Sequence, residues 1–389
     1  MEVTGVKPIV LLGGGHAHLV TLANLWRFRD LGCRVTLVQP REEHYYSGMG
    51  PGLLSRTYEP SQIRFATRRI VENQGGRFLR DAAVEIDPRE RTVRLQSGET
   101  LDYDLLSCNV GSTVPGGIIS PTARDAYPVK PISELEAVRD RIEALVAHKR
   151  CHFAVVGGGP AALEIAANAR RLVRRSAGHP ARITLFAGNR FLARFPESLR
   201  KKSRKVLREL EVDLVERGYA RQVDTGRVIL EDGSQWEPDL TLLALGVRPS
   251  SLFADSGLAT GDDGGLLVDE HLRSVDFPEI MGGGDCIAYQ PRPLDKVGVN
   301  AVRQNPVLLH NLLAMIRGED LQAFRPQPKY MLIFNTGDGK GLLWRGNLVL
   351  RGKWAFRLKD HIDRKFMRRF QALEHTSQTA DSPKKENPG

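Results

Sequence analysis

The stretch that most restricts how this chain can fold is residues 9–19, Ile9-Val10-Leu11-Leu12-Gly13-Gly14-Gly15-His16-Ala17-His18-Leu19. Its apolar start reads as a buried parallel strand. Three glycines follow, then an apolar-periodic segment of Leu19, Val20, Leu22, Ala23, Leu25 and Trp26 that reads as a helix. Gly13 lets the chain turn without a Cβ clash. Gly15 lets the backbone approach a pyrophosphate, and the helix start offers unpaired N–H groups to that anion. Gly14, His16, Ala17 and His18 complete the expected dinucleotide turn, with His18 where the general pattern has a third glycine or alanine.

The device recurs. Phe153 to Val156 runs into Gly157-Gly158-Gly159-Pro160-Ala161-Ala162. Gly157, Gly159 and Ala162 make a full fingerprint, with Ala162 allowing close helix–strand packing. Residues 91–112 and 226–247 also share a pattern at one constant offset: a strand, a turn at Gly98 or Gly233, an acid at Asp104 or Asp239, an apolar strand, and Gly111 or Gly246. Two similar nucleotide-binding units explain this better than chance.

At 389 residues the chain suits two or three domains. No stretch is long enough to cross a membrane as a helix, and the early entry into a core strand argues against a signal peptide, so a cytoplasmic location is expected. The four cysteines, Cys33, Cys108, Cys151 and Cys286, are far apart and beside apolar runs, which predicts buried reduced thiols. The net charge of +10 suggests an acidic contact: phosphates, nucleic acid or anionic lipid. Nucleic acid is the class set aside, because no recognised module is present.

In chain order, residues 34–38 are the next strand. Its end should carry an acid for the adenosine ribose, but Gln39 stands there and can bond only without charge assistance. A glycine-rich aromatic loop, residues 44–52, reads either as a turn or as packing for a flat ring system. Residues 61–72 read as a helix with Arg64, Arg68 and Arg69 on its polar side. The Pro-, Gly- and Ser-rich residues 113–130 mark a domain boundary. Ser133 is expected to cap a helix over 134–148. The second unit's strand at 183–186 ends at Ala187, again without an acid, and Arg190 could meet a 2′-phosphate. A helix over 297–316, a hairpin around Gly337-Asp338-Gly339 and a basic segment at 354–373 follow. Residues 376–389 read as a disordered tail.

With these features in this order, the chain resembles the two-dinucleotide flavoproteins of the pyridine nucleotide-disulfide oxidoreductase superfamily. The resemblance implies an α/β fold with two Rossmann-like domains, glutathione-reductase-like, and a small C-terminal hairpin-plus-helix region. It implies FAD at the first glycine turn and NADH or NADPH at the second. Gly284-Asp285-Cys286 resembles the late Gly-Asp motif, whose aspartate bonds the ribityl chain. The FAD residues carried over are Gly13, Gly14, Gly15, His16, Ala17, His18, Gln39, Val84, Gly111, Asp285 and Ala301; those for NAD(P)H are Gly157, Gly159, Pro160, Ala162 and Arg190. The expected domains are 1–128 with 250–325 for FAD, 129–249 for NAD(P)H, and 326–375 for the C-terminal region.

Two branches are most similar. Gly13 to His18, Tyr46-Ser47-Gly48-Met49-x-Pro51-Gly52, Ala301-Val302-Arg303-Gln304 and Lys359-Asp360-x-Ile362-Asp363-x-x-Phe366-Met367 resemble the flavoprotein domain fused ahead of selenide, water dikinase. The layout with its basic C-terminal helix resembles type II NADH:quinone dehydrogenases. The redox cysteine pair of the disulfide reductases is missing from the Ser47-Gly48-Met49 region, so an external acceptor is expected, a quinone first. A selenium-linked reductase, a sulfide:quinone oxidoreductase and a non-enzymatic flavin sensor are the alternatives. In the type II branch a glutamate matching Glu164 is implicated in proton transfer, and Gln304 resembles a glutamine near the quinone pocket; a solvated carboxylate and a helix cap are the plain readings. His16 and His18 have metal-pair spacing without a third ligand, so no metal is expected.

Trp354, Leu358, Ile362, Phe366 and Phe370 recur at four-residue steps, with Ala355 and Leu373 in the same arc, and Lys353, Arg357, Arg364 and Arg368 opposite. This suits peripheral contact of 354–373 with the inner face of a membrane. It equally suits packing on the FAD domain, since Asp360 and Asp363 dilute the basic face. A homodimer is left open.

Overall fold

The computed structural model describes residues 7–114, 116–327 and 330–376. Two five-stranded sheets follow one plan. The first runs Ile280–Gly282, Leu105–Cys108, Lys7–Leu12, Cys33–Val38, Arg77–Leu79, all parallel. The second runs Ala126–Pro128, Leu240–Leu243, Cys151–Val156, Ala181–Phe186, Val212–Val215, also parallel. In each, the strand that enters a glycine turn is central. The repeated segments supply the strand on its other side, and each is preceded by an antiparallel meander: Ala83–Asp87, Thr92–Leu95, Thr100–Asp102, and Ala220–Asp224, Arg227–Leu230, Gln235–Trp236. Helices cover the parallel strands, which is why they read as continuous apolar runs. Leu11, Leu37 and Leu106 in one sheet, and Phe153, Leu185 and Leu242 in the other, are fully buried, each worth roughly 1.5–3 kcal/mol over exposure.

The segment after the first glycine turn is two short helices, Leu19–Leu22 and Leu25–Arg29, rather than one. Asn24 sits at the break and donates its amide to the Val20 carbonyl at 2.8 Å, an alternative to continuing the helix. The second turn feeds an unbroken helix, Pro160–Arg175, with proline at its first position, where the missing N–H costs nothing. The expected helix over 61–72 is also split, into Pro60–Ile63, the strand Arg64–Phe65 and Thr67–Asn73. Phe65 pairs with His44 in an antiparallel ladder, so long-range pairing overrides local propensity. The helix Glu134–His148 forms, but Ser133 lies in helical backbone and its hydroxyl caps nothing.

A three-stranded antiparallel sheet, Leu332–Asn335, Gly341–Arg345, Leu348–Gly352, leads into the C-terminal helix Lys353–Gln371. The expected single apolar face of that helix is divided. Ala355, Asp363, Met367 and Phe370 are buried, whereas Trp354, Leu358 and Ile362 are 47%, 37% and 44% exposed. The expected tail lies almost wholly outside the described residues. Among the described residues no helix is long and apolar enough to cross a membrane.

Candidate functional site

The first glycine turn is crowded from below. Gly13 has φ +82°, and a Cβ there would lie 2.4 Å from the Asn109 carbonyl oxygen. A Cβ on Gly15 would lie 2.9 Å from Asn109 Nδ2. His18, fully buried, explains the departure from the glycine pattern. Its Nδ1 is 2.6 Å from the Gly13 carbonyl and its Nε2 2.8 Å from the Ser107 hydroxyl. A carbonyl only accepts, so Nδ1 carries the proton and Ser107 donates to Nε2. Burial lowers this imidazole to about 4, so it is neutral at pH 7. His18 is thus a brace between the turn and the strand Leu105–Cys108.

The late glycine segment lies beside this turn. Gly284 has φ +79°, and the position of its missing Cβ is 2.6 Å from Asn109 Oδ1. Asp285 accepts hydrogen bonds from the Ser112 hydroxyl at 3.0 Å and the Lys130 ammonium at 3.1 Å. The helix Gly298–Arg317 holds both glycine segments through consecutive side chains. Gln304 accepts the Gly284 N–H at 2.7 Å. Asn305 donates to the His16 carbonyl at 2.7 Å and accepts the Val20 N–H at 2.8 Å. Buried Ala301 stands on the same helix, while Gly111, at φ +74°, has nothing within 4 Å of a Cβ. Val84 is 40% exposed on the meander.

Two sequence expectations change here. Gln39 accepts the Gly14 N–H at 2.9 Å and donates to the Arg41 carbonyl, so its side chain is spent inside the protein rather than free for a ribose. Gln304 is 1% exposed beneath the Gly284 turn, a support rather than a lining of an acceptor pocket. Asn109, Lys130 and Asn305 belong to this neighbourhood and were missed; no local pattern marks them, because their partners lie far away in sequence.

The second turn is open. Gly157 has φ +149°, and its Cβ position is 2.1 Å from the Ala244 carbonyl oxygen, so glycine is obligatory. Buried Ala162 packs below it, 3.3 Å from that position. Gly159, immediately before Pro160, has nothing within 4 Å of a Cβ. Ala187 is buried, Arg190 is exposed, and the Tyr219 ring lies against Gly188. Ala187 carries no carboxylate of its own, and Glu216 accepts the Phe191 N–H at 2.7 Å nearby.

A partly buried polar cluster lies where the helix after the second turn meets the C-terminal sheet and helix. Glu164 accepts the Asn335 N–H at 2.7 Å. Burial pushes its carboxyl up to about 7, with Lys359 and the Asn335 bond pulling it down and Asp363 pushing it up. Lys359 donates to the Gly48 carbonyl and to Asp363, both at 2.6 Å. Asp363, 5% exposed, also accepts the Tyr46 hydroxyl at 3.1 Å. The Pro160–Arg175 helix, the C-terminal sheet and helix, and the loop at 44–49 all contribute. The i,i+4 spacing of Lys359 and Asp363 on the C-terminal helix was the available signal.

All four cysteines are buried and free. Burial raises the Cys108 thiol well above its ordinary value, Cys286 adding to it, and raises Cys286 to about 11. Neither offers a thiolate at neutral pH. Among the described residues no group of three or more His, Cys, Asp and Glu could hold a metal ion.

The architecture has close counterparts. The sulfide:quinone oxidoreductase of Aquifex aeolicus superposes with a TM-score of 0.79 at 17% identity, covering 95% of this chain and 92% of that one. At that identity the likeness is one of fold. The NADH dehydrogenase-like protein YutJ of Bacillus subtilis is 23% identical over 329 residues, 83% of this chain and 88% of that protein. A mitochondrial internal alternative NAD(P)H-ubiquinone oxidoreductase of Arabidopsis thaliana is 30% identical over 145 residues, 36% of this chain but only 28% of that protein. The family model for pyridine nucleotide-disulphide oxidoreductases matches residues 7–307, from the first strand into the helix that holds both glycine segments. The chain therefore belongs to the pyridine nucleotide-disulphide oxidoreductase family, whose members use FAD and NAD(P)H.

Proposed function

We propose that this chain is an FAD-dependent NAD(P)H oxidoreductase that reduces a quinone. Residues 1–128 and 250–325 form the FAD-binding part, with Gly13, Gly15 and Asp285 in contact with the cofactor. Residues 129–249 bind NADH or NADPH through Gly157, Gly159 and the start of the Pro160–Arg175 helix. Held there, FAD would supply the two-electron chemistry that links a hydride donor to the acceptor. The balance is NAD(P)H, a proton and quinone giving NAD(P)+ and hydroquinone. Glu164, poised near pH 7, supplies the proton, and Lys359, Asp363 and Tyr46 hold the surrounding charges in place. The exposed Trp354, Leu358 and Ile362, flanked by Lys353, Arg357, Lys365 and Arg369, rest on an anionic lipid surface where a quinone is soluble.

The observation that carries this reading is the half-buried Glu164 on the helix after the second glycine turn, bonded to the Asn335 N–H beside Lys359 and Asp363, in a chain whose thiols are buried. The test begins with an absorbance spectrum of the purified protein, expected to be yellow. Anaerobic NADH or NADPH should bleach the flavin band, and a short-chain ubiquinone should restore it. Absence of flavin after gentle purification would sink the reading; bleaching without recovery would remove quinone as the acceptor. Flotation with anionic vesicles, lost in a Trp354→Ser, Leu358→Ser, Ile362→Ser variant, tests the lipid contact.

A further inference from the structure

Three nitrogens around the first glycine turn have no partner in the protein. His16 Nε2, His44 Nε2 and Asn109 Nδ2 are each shut off from solvent and unbonded. Folded proteins rarely leave such atoms unmet, and three in one place point to a ligand. The His16 and His44 rings stand edge to face, 5.3 Å between centres. His16 also packs on Tyr46 at 5.1 Å and on Phe366 at 6.0 Å, and His44 on Phe65 at 5.3 Å. The result is an aromatic box with two imidazoles in it. Burial keeps both neutral; His16 senses Asp285 and Lys130, and His44 senses His16 and Lys130. Asn109 is 5% exposed, with its amide wedged between the backbones of Gly15 and Gly284. Its own N–H is committed to the Leu12 carbonyl at 2.7 Å.

We propose that these three side chains bind FAD directly. The Asn109 amide donates to the diphosphate between the two glycine segments, and the neutral His16 and His44 bond the polar rim of the flavin ring. The inference rests on the FAD reading above and extends it to side chains. A diphosphate offers only acceptors, which suits an amide N–H. A flavin rim offers both donors and acceptors, which suits neutral imidazole in either tautomer. Glycine at positions 15 and 284 then serves to admit the Asn109 amide as well as the cofactor.

The test uses full-length protein stripped of flavin and titrated with FAD, read by fluorescence quenching. Asn109→Ala should bind FAD about tenfold more weakly, and Asn109→Asp about a hundredfold, since a carboxylate would then face the diphosphate. His16→Phe and His44→Phe keep the ring packing but lose the nitrogen; each should weaken FAD about tenfold and move the flavin absorption band. His44→Gln should recover part of the loss. Adenosine diphosphate, titrated by itself, should bind more weakly to Asn109→Asp by about the factor FAD loses and should bind the histidine variants as it binds wild type. Circular dichroism verifies the fold, and the Gln variant decides at position 44 if the Phe variant does not fold. FAD affinity within twofold of wild type in every folded variant, with unchanged spectra, would overturn the inference and leave the FAD reading intact. Wild-type protein that takes up no FAD would overturn both.

Discussion

Beneath Gly15 the space is filled by the Asn109 amide, whereas the Cβ position of Gly159 opens onto nothing within 4 Å. The first turn is followed by helices of only 4 and 5 residues; the second opens a helix of 16. The first is braced by side chains from elsewhere: His18 to Ser107, Asn305 to His16, Gln304 to Gly284. The second is shaped almost wholly by backbone and the small Ala162. A long helix offers free N–H groups and the positive end of its dipole, so an anion can be held without specific side chains. A short, broken helix offers less, and side chains make up the difference. A built-in turn suits a cofactor that stays; an open one suits a cofactor that must leave at every turnover.

The largest effect expected from this contrast is at Gly15. Gly15→Val forces a branched side chain into the Asn109 amide and the cofactor's approach, and should give folded but colourless protein. Gly159→Ala meets open space, so it should stay yellow and raise only the NAD(P)H KM, by a few-fold. Absorbance and steady-state kinetics on the pair would break the contrast if Gly159→Ala lost its flavin or Gly15→Val kept it.

Glu164→Gln lies on the helix after the second turn and should act on turnover alone. We expect quinone reduction about tenfold to a hundredfold slower with FAD retained, and loss of the limb near pH 7 in the rate profile. The same group has a stability signature. Its folded value of about 7 lies above the ordinary 4.5, so the fold favours the protonated form. That contribution is complete below about pH 4.5 and lost as pH rises through 7, at most roughly 3 kcal/mol. His18 works in the opposite sense: lowered from 6.5 to about 4, it stabilises above pH 6.5 and loses that as pH falls toward 4. Melting temperatures across pH should therefore fall on both sides for wild type, and Glu164→Gln should flatten only the alkaline side. An unchanged alkaline slope would mean Glu164 is not held protonated.

The smallest effect belongs to the cysteines. Replacing Cys33, Cys108, Cys151 and Cys286 one at a time with Ser or Ala should leave NAD(P)H:quinone turnover within about twofold wherever the fold survives, because no thiolate is available. Loss of turnover from one such change, with flavin retained, would assign sulfur chemistry to that residue.

Much of this was legible in the chain. The glycine spacing, the apolar strands and the constant offset between residues 91–112 and 226–247 anticipated the three central strands of each sheet, whereas Ile280–Gly282, Ala126–Pro128 and Val212–Val215 were not read as strands. The Gly284-Asp285 segment was placed beside the first turn by resemblance, and the Glu164 position by its helix. What was not legible concerned partners. Gln39 and Gln304 both looked like ligand contacts, and each is spent on a glycine N–H. The C-terminal helix had the right periodicity, yet its buried arc contains Asp363 and its exposed arc Trp354.

The division follows from the range of the forces. A glycine turn, a strand or a helix is written in the φ/ψ limits and side-chain period of a couple of dozen neighbouring residues, so the two nucleotide units could be read without coordinates. Which atoms end up enclosed, and against what, depends on chain segments brought together only by folding. Ser107 meets His18 across 89 positions, and Asn305 meets His16 across 289. Tyr46 meets Asp363 across 317. Burial of that kind raises the Glu164 carboxyl and leaves the nitrogens of His16, His44 and Asn109 unpartnered, because desolvation and hydrogen-bond geometry belong to the packed molecule and to no local stretch of chain.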